Sequence, residues 1–316
     1  MIRTKKTYTE EQIEQLSQEI RDLKEKKNAF ILAHYYQELH IQDVADLVGD
    51  SLGLSKAARD VKDADMIVFA GVFFMAETAK ILNPDMKVVI PNLKAGCPLA
   101  DKCDPDVVAA AREKHPNAPV IVYINTTAET KAVADLTCTS SNAAQVVKKL
   151  GAKKVLFGPD RNLGKYVQKQ VPDVEIIPVP ENGYCIVHKR FDLETIDKIK
   201  QDYPDAILIS HPEANIEIQE ASEFVGSTAK LLKYGEKTDA KTIIVATEKG
   251  LVDLMSRKYP DKKIILAKDT AICRNMKKIN LENLRDSLKY NQHEVIIPED
   301  IRQKAEKAIV RMLELS

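Results

Sequence analysis

The sequence predicts an α/β protein in which three similar βαβ-type three-layer domains are related by pseudo-threefold symmetry around a central cavity. First, short β-branched runs alternate with stretches of helical periodicity through the 316-residue chain. Second, four landmarks recur in the same order at offsets of 86 to 91 residues. Third, no Gly/Ser-rich or Pro-rich linker separates the blocks, so we expect them to pack tightly. The predicted division is an N-terminal helix over 1–27, repeats over 28–117, 118–204 and 205–290, and a C-terminal strand and helix over 291–316.

The chain opens with a predicted amphipathic helix over residues 9–27. Thr9 is a candidate N-cap, and Gln12 three positions later completes the pattern of a capping box. Apolar side chains follow at helical spacing, at Ile13, Leu16, Ile20 and Leu23. One face of this helix should therefore be buried.

The first landmark of each repeat is a strand that ends in polar side chains. The three runs are AFILAHYY from Ala29, PVIVYINT from Pro119 and DAILISHP from Asp205. Their matched polar residues are His34, Asn125 and His211, spaced by 91 and 86 residues. A helical stretch and a hydroxyl-rich joint come next in every repeat, as GDSLGLSKAA, TCTSSNAAQVV and GSTAKLL. These joints predict three further helix starts.

The remaining landmarks are two more strands and a cysteine. The second strands are IVFAG, VLFGP and IIVATE, and the third strands are VVIPN, EIIPVP and KIILAK. Cys97, Cys185 and Cys273 follow them at equal spacings of 88 residues. Each repeat thus predicts three strands and one cysteine, and the tail VIIPEDIRQKAEKAIVRMLEL predicts a closing strand and helix.

Composition excludes several classes of function. Lys plus Arg and Asp plus Glu both number 47, so no net charge draws in nucleic acid or an anionic membrane. Trp is absent and aromatic residues make up 5%, which disfavours stacking channels for single strands. No run of 18 apolar residues and no secretory signal pattern is found, so we expect a cytoplasmic protein. Motifs of P-loop, dinucleotide-binding, serine hydrolase and zincin enzymes are missing.

The three repeated cysteines predict a metal centre. Because ligands gather beyond the carboxyl ends of parallel strands, three equivalent cysteines should meet at the centre of the molecule. Three thiolates without a fourth leave one coordination position open, as in a catalytic zinc site or a [4Fe–4S] cluster with one free iron. Cys103 and Cys138 have no counterparts in the other repeats, and we interpret both as non-ligands.

Two further sets of residues predict binding and proton transfer. The strand ends carry polar side chains at His34, Tyr36, Tyr123, Asn125, His211 and Glu213. Of these, His34, Tyr36, His211 and Glu213 are acid–base groups that suit dehydration chemistry. The hydroxyl joints are candidate receptors for a small polyanionic substrate, through Ser51, Ser140, Ser141, Ser227 and Thr228. Glu248 is interpreted as a structural cap or ion-pair partner. His188 has two open interpretations, as a residue that supports the metal from behind Cys185 or as a substrate contact.

These motifs together resemble the quinolinate synthase A family of bacterial de novo NAD biosynthesis. The segments that carry the resemblance span residues 28–312 and are ILAHYYQ, GDSLGLS, FMAETAKILNP, PNLKAGCPLAD, VYINTTAETKAVADLTCTSSNA, FGPDRNLG, SHPEA, EFVGSTAKLLKY, ATEKGL and the late Cys273. The resemblance implies condensation of iminoaspartate with dihydroxyacetone phosphate to quinolinate, with loss of phosphate and water. It also implies three α/β domains around a [4Fe–4S] cluster.

The resemblance carries residue roles with it. It implies cluster ligation by Cys97, Cys185 and Cys273. It implies substrate contacts from His34, Ser51, Tyr123, Asn125, Ser140, His211, Glu213, Ser227 and Thr228. Proton handling would fall to Tyr36 and Glu213, with His34 and His211 beside them. An aspartate oxidase or dehydrogenase would supply the iminoaspartate.

One departure from the family pattern concerns the last ligand. Some members carry a C-x-x-C run there, whereas this chain has only AICRN around Cys273.

Two alternatives stay open from the residues alone. A diphthamide-type radical enzyme also draws one cysteine from each of three domains, and an iron–sulfur redox sensor would need the cluster but not the polar strand ends.

Overall fold

Three parallel four-stranded sheets form the framework of the protein. The computed structural model describes residues 8–316, so the first seven residues of the predicted N-terminal segment lie outside the described residues. The strands are β1 (Ala29–His34), β2 (Leu47–Gly49), β3 (Met66–Ala70), β4 (Lys87–Val89), β5 (Val120–Tyr123), β6 (Leu136–Cys138), β7 (Lys154–Gly158), β8 (Glu175–Pro178), β9 (Ile207–Ser210), β10 (Phe224–Val225), β11 (Thr242–Ala246) and β12 (Lys263–Leu266).

The three sheets repeat one strand order. They read β2-β1-β3-β4, β6-β5-β7-β8 and β10-β9-β11-β12, and every neighbouring pair is parallel. The predicted α/β fold of three similar units is thereby confirmed. We call them units 1, 2 and 3 in chain order. Their central strands are apolar and buried, as in the run from Met66 to Ala70, because helices cover both faces of a parallel sheet.

Each unit has one strand more than the sequence predicts. The extra strands β2, β6 and β10 are two or three residues long and pair at the edge beside β1, β5 and β9. Segments this short cannot show the alternation of apolar and polar residues that indicates a strand. The sequence therefore predicts no strand between the first strand of each repeat and its hydroxyl joint.

Fourteen α-helices of four or more residues lie within residues 8–316. They are α1 (Glu10–Lys26), α2 (Leu39–Gln42), α3 (Ser51–Asp60), α4 (Phe73–Leu82), α5 (Pro105–Lys114), α6 (Ala128–Ala132), α7 (Ala143–Leu150), α8 (Arg161–Gln170), α9 (Leu193–Asp202), α10 (Ile216–Ala221), α11 (Thr228–Lys237), α12 (Lys249–Lys258), α13 (Leu281–Tyr290) and α14 (Glu299–Glu314). None of these helices is long and apolar enough to cross a lipid bilayer.

The two terminal helices agree with the sequence, but the closing strand does not. Helix α1 has the predicted capping box between Thr9 and Gln12 and buries Leu16 and Ile20. Helix α14 packs on α6 and β6. The strand predicted before α14 is reduced to a single antiparallel bridge between Val89 and Glu294.

A helix from each unit packs on the sheet of the next unit. Val108 of α5 shares a core with Val120 and Val122 of β5. In the same way α9 shares a core with β9 and β11 of unit 3, and α13 packs on β3 of unit 1 and on α1. Unit 1 therefore reaches to unit 2, unit 2 to unit 3, and unit 3 back to unit 1. The boundaries at 117, 204 and 290 stay a proposal, since this packing crosses them.

Candidate active site and metal centre

The carboxyl ends of the strands face one cavity of about 330 Å³, within the usual range for a small-molecule site. All three units contribute to its wall. The sequence-predicted residues that line it are His34, Tyr36, Ser51, Cys97, Tyr123, Asn125, Ser140, Cys185, His211, Glu213, Thr228 and Cys273. His188 and Glu248 line it as well.

The three cysteine loops have the same backbone conformation. The carbonyl oxygen of Cys97, Cys185 or Cys273 accepts a hydrogen bond from the backbone N–H four residues later, at 3.0 to 3.1 Å. A single 3₁₀ turn covers the third to fifth residues after the cysteine, as Ala100–Lys102, His188–Arg190 and Met276–Lys278. The N–H groups two and three residues after each cysteine lie near its sulfur and act to lower the pKa of the thiol. Each loop thus offers two backbone donors to a thiolate.

The surroundings of the sulfurs suit a metal group. Burial raises the pKa of Cys97 to about 12, against the lowering effect of its two backbone donors, and the nearby Cys273 raises it further. Burial likewise raises the pKa of Cys185, and Cys97 adds to the effect. Three neighbouring thiols that are protonated at neutral pH become thiolates when a cation binds them. The donor set therefore fits a group held by three thiolates.

Buried carboxylates hold two of the three loops. Asp160 accepts from the backbone N–H of Cys185 at 3.0 Å, and Glu248 accepts from that of Cys273 at 3.0 Å. Both carboxylates also cap a helix, α8 and α12 respectively, and Lys277 pairs with Glu248 at 3.4 Å. Glu248 is therefore the cap and ion-pair partner that the sequence predicted. Unit 1 has Val72 at this position, which has no acceptor to offer.

A second group of possible ligands lies beside the cysteines. Ligand atoms of Cys185, His188 and Glu213 lie within 4.8 Å of one another. However, His188 uses Nδ1 toward Glu213 at 2.9 Å and Nε2 toward Thr247 at 2.9 Å. Both ring nitrogens are already hydrogen-bonded, so a metal bound there would have to displace one of these contacts.

The other two cysteines lie in the core. Cys103 is fully buried beside Val120 and Leu156, and burial raises its pKa to about 12. Cys138 is fully buried in the largest core cluster. Neither is among the described residues that line the cavity. Their positions agree with the prediction that they are not ligands.

The strand-end histidines of units 1 and 3 have the same environment. His34 accepts at Nδ1 from the Tyr36 N–H at 3.1 Å, and His211 accepts at Nδ1 from the Glu213 N–H at 3.3 Å. Burial lowers the pKa of His34 to about 4 and that of His211 to about 3. Both rings are therefore neutral at pH 7. Because Nδ1 accepts in each ring, Nε2 carries the proton.

A chain of hydrogen bonds crosses the cavity wall from Tyr36 to Glu213. Tyr36 Oη lies 2.8 Å from Thr247 Oγ1, which lies 2.9 Å from His188 Nε2. His188 Nδ1 continues the chain to Glu213 Oε2, and the Tyr123 hydroxyl donates to Glu213 Oε1 at 2.6 Å. The residues that form this hydrogen-bond chain come from all three units.

The charge state of Glu213 sets the direction of this chain. Burial opposes ionisation of the Glu213 carboxyl, but the two neighbouring imidazoles and the hydrogen bonds from His188 and Tyr123 hold its pKa below the usual range. A carboxylate only accepts, so His188 Nδ1 donates to it. His188 Nε2 and Thr247 Oγ1 then carry the chain on to the Tyr36 hydroxyl.

The hydroxyl joints differ in detail from the prediction. Ser51 is the first residue of α3, and the N-cap of this helix is Asp50, which accepts from Gly53 N–H at 3.0 Å. Ser140 and Ser141 lie in a turn before α7, whose N-cap is Asn142.

Ser227 is the N-cap of α11 and lies behind the cavity wall. It is fully buried and is not among the described cavity-lining residues. Asp50 accepts from Ser141 Oγ at 2.8 Å and from Ser227 Oγ at 3.1 Å. One carboxylate thus ties together the joints of all three units.

Asp50 and Thr247 are two of the site residues that the sequence did not predict. Two cations that line the cavity were not predicted either, Arg190 and Arg274. Asp50 precedes the helical stretch that begins at Ser51, and Asp is one of the preferred N-cap residues. Thr247 directly follows β11, where a side chain reaches the carboxyl edge of the sheet. Asn125 also indicates a ligand-binding site, because its buried Oδ1 has no hydrogen-bond partner within residues 8–316.

A family model described as quinolinate synthetase A protein matches residues 18–314. This chain belongs to that family. A quinolinate synthase from Pyrococcus furiosus is 49% identical over 306 residues, which cover 97% of this chain and 100% of the relative. One from Thermococcus onnurineus is 47% identical over 96% of this chain and 99% of the relative. One from Aquifex aeolicus is 46% identical over 100% of this chain and 98% of the relative.

Membership in the quinolinate synthetase A protein family confirms the resemblance found in the sequence. These relatives are named quinolinate synthase, so the chain is an enzyme of this family. The coverage is close to complete on both sides, so the match includes all three units and the whole cavity. The diphthamide-type enzyme and the redox sensor lose their support.

Proposed function

We propose that this enzyme condenses iminoaspartate with dihydroxyacetone phosphate to form quinolinate. One molecule of each gives one quinolinate, one phosphate and two waters. The observation that carries the proposal is the convergence of three equivalent cysteine loops and the polar strand ends on a single cavity. The relatives named quinolinate synthase support the same reaction.

We propose Cys97, Cys185 and Cys273 as the three ligands of a [4Fe–4S] cluster. Their matching loops and paired backbone donors support equal roles. When bound, such a cluster would offer one iron without a protein ligand as a Lewis acid toward a substrate oxygen. Zinc on the same thiolates is the competing occupant, and metal and sulfide analysis distinguishes the two.

The substrate carboxylates would bind to neutral donors. His34 and His211 present Nε2–H groups, which donate to a carboxylate without carrying charge. Ser51 and Thr228 are the first residues of the ten-residue helices α3 and α11, so the positive ends of two helix dipoles lie at the cavity. Further contacts are proposed from Tyr123, Asn125 and Ser140, with Ser227 acting from behind through Asp50 and Ser141.

Proton transfer is proposed to run along the chain from Tyr36 to Glu213. Tyr36 lines the cavity and would exchange the proton with substrate, while Thr247 and His188 pass it on. Glu213 would orient His188 and stabilise it when it gains the proton. This arrangement suits the successive dehydrations that ring formation requires.

The proposal is tested by an anaerobic assay with reconstituted protein. Iminoaspartate is supplied in the cuvette by an aspartate oxidase or dehydrogenase, dihydroxyacetone phosphate is added, and quinolinate and phosphate are measured. We expect both products in equal amounts. Fully iron-loaded protein that forms neither product would overturn the proposed reaction, whereas product formed by zinc-loaded protein would overturn only the proposed cluster.

A further inference from the structure

The turn after each cysteine carries a basic residue at the fifth position. These residues are Lys102, Arg190 and Lys278, which follow Cys97, Cys185 and Cys273. Each side chain donates to a backbone carbonyl of the next unit: Lys102 to Asn182 at 3.1 Å, Arg190 to Thr270 at 2.8 Å and Lys278 to Lys94 at 2.5 Å. The third contact returns to unit 1, so the three contacts form a closed ring.

The three acceptors occupy one equivalent position. Asn182, Thr270 and Lys94 each precede the cysteine of their own unit by three residues. Long surface cations have many carbonyls within reach, so a match of both donor and acceptor positions in three units indicates a common contact and not three separate ones. Lys102 also lies over the ring of Tyr184 of unit 2, 4.1 Å from its centroid.

The chain that follows each cation fixes the same geometry from the other side. The next residue is buried in the neighbouring core in every unit, as Cys103, Phe191 or Ile279. The residue after that caps the helix that crosses to the next sheet, as Asp104, Asp192 or Asn280. The basic residue, the buried residue after it and the helix cap therefore all connect one unit to the next. Unit 1 is connected to unit 2, unit 2 to unit 3, and unit 3 to unit 1.

We propose that Lys102, Arg190 and Lys278 are positioning residues that hold the three cysteine loops at a fixed separation. Each cation restrains the loop of the next unit through the carbonyl three residues before its cysteine. The consequence for metal binding rests on the proposed function, in which the three thiols share one cluster. The restraint itself is a property of the folded chain and is open to test without metal.

The first experiment maps which thiol each cation protects. The variants Lys102→Met, Arg190→Met and Lys278→Met remove the donor but keep most of the apolar stem. Metal-free full-length protein is pulsed with iodoacetamide, and alkylation at each cysteine is measured by mass spectrometry. We expect Lys102→Met to speed alkylation of Cys185, Arg190→Met that of Cys273, and Lys278→Met that of Cys97, each by about fivefold, the factor for one hydrogen bond of roughly 1 kcal/mol.

The matched control is Lys169→Met. Lys169 of α8 also carries a positive charge and also bonds across units, to Glu220 of unit 3 at 2.7 Å, but neither residue lies on a cysteine loop. It should leave all three alkylation rates unchanged. Rates for the ring variants that match this control, or acceleration confined to the cysteine of the mutated unit, would overturn the proposal.

The second experiment uses the iron-loaded protein. Each ring variant should release iron to a chelator about fivefold faster than the parent protein, and Lys102→Arg, Arg190→Lys and Lys278→Arg should restore slow release. Because the ring is closed, a variant with two Met substitutions should release iron less than 25-fold faster than the parent protein, which is the product of two fivefold effects. If iron does not load at all, the metal-free alkylation pattern still tests the positioning role of the three cations. Failure of that role can therefore be distinguished from failure of the proposed reaction. Circular dichroism confirms that each variant is folded.

Discussion

The two sides of the cavity differ in how closely the three units match. The cysteine loops match in turn type, sulfur donors and cation contacts in every unit. The strand ends match only in part, with His34 and His211 equivalent but Asn125 in their place in unit 2. A metal group with three like ligands requires three like loops, whereas acid–base chemistry requires residues with different tasks. The repeat is therefore closer at the cysteine loops than at the strand ends.

The largest effect that this comparison predicts is on metal binding. Cys97→Ala, Cys185→Ala and Cys273→Ala should each abolish the brown iron–sulfur absorbance, because a cluster cannot form stably on two thiolates. The measurement is iron and sulfide content after anaerobic reconstitution.

Cys103→Ala and Cys138→Ala are the matched controls, because both thiols lie in apolar cores. They should retain the cluster. Loss of iron in either control, or a full cluster in one of the three ligand variants, would break the equivalence of the loops.

The substrate side should behave in the opposite way. Tyr36→Phe removes the hydroxyl that begins the hydrogen-bond chain, and Thr247→Val interrupts its middle. Each should lower kcat by about 10² to 10⁴ while iron and sulfide stay at parent levels, since general acid–base catalysis is worth factors of that size. Tyr166→Phe, whose hydroxyl donates to the Val225 carbonyl away from the cavity, is the control. Parent-level kcat in Tyr36→Phe would remove this residue from catalysis.

The units also differ in what stands behind their loops, and this predicts a smaller effect. Asp160 accepts from Leu163 N–H on one oxygen and from Cys185 N–H on the other. In Asp160→Asn one of these acceptors becomes an NH₂ group, which should cost about 1–3 kcal/mol of unfolding free energy in urea. Asp104→Asn is the control, because Asp104 caps only α5 and Asn caps helices equally well. A neutral result for Asp160→Asn would show that the carboxylate does not support the Cys185 loop.

The last prediction concerns pH. His34 and His211 have folded-state pKa values of about 4 and about 3, below the ordinary value of 6.5. Between pH 6.5 and 4 the unfolded chain therefore binds protons that the folded protein does not, so stability falls as pH falls, by up to about 1.4 kcal/mol per pH unit for each histidine. His34→Asn and His211→Asn, which copy unit 2, should each flatten the dependence of the urea midpoint of metal-free protein on pH. An unchanged slope would show that these rings are not buried and neutral.

Regular features of the sequence predicted much of the fold and of the site. The buried runs of units 1 to 3 and the equal spacing of Cys97, Cys185 and Cys273 are local patterns, so strands and candidate ligands were found directly. Strands such as Phe224–Val225 are too short to show a pattern. Contacts that end on a backbone carbonyl, such as that of Lys102, leave no signal in the acceptor residue, because every residue has a carbonyl. The crossing of helices to the next sheet is likewise invisible, since it depends on contacts between distant segments.

We propose that three equivalent loops hold one iron–sulfur cluster and leave one of its irons without a protein ligand. The most direct test is iron, sulfide and zinc analysis of oxygen-free protein, combined with Mössbauer spectroscopy before and after substrate is added. We predict about four iron and four sulfide per chain, with one iron whose spectrum shifts when substrate binds. A single zinc per chain without sulfide, or four irons whose spectra do not change when substrate is added, would contradict this proposal.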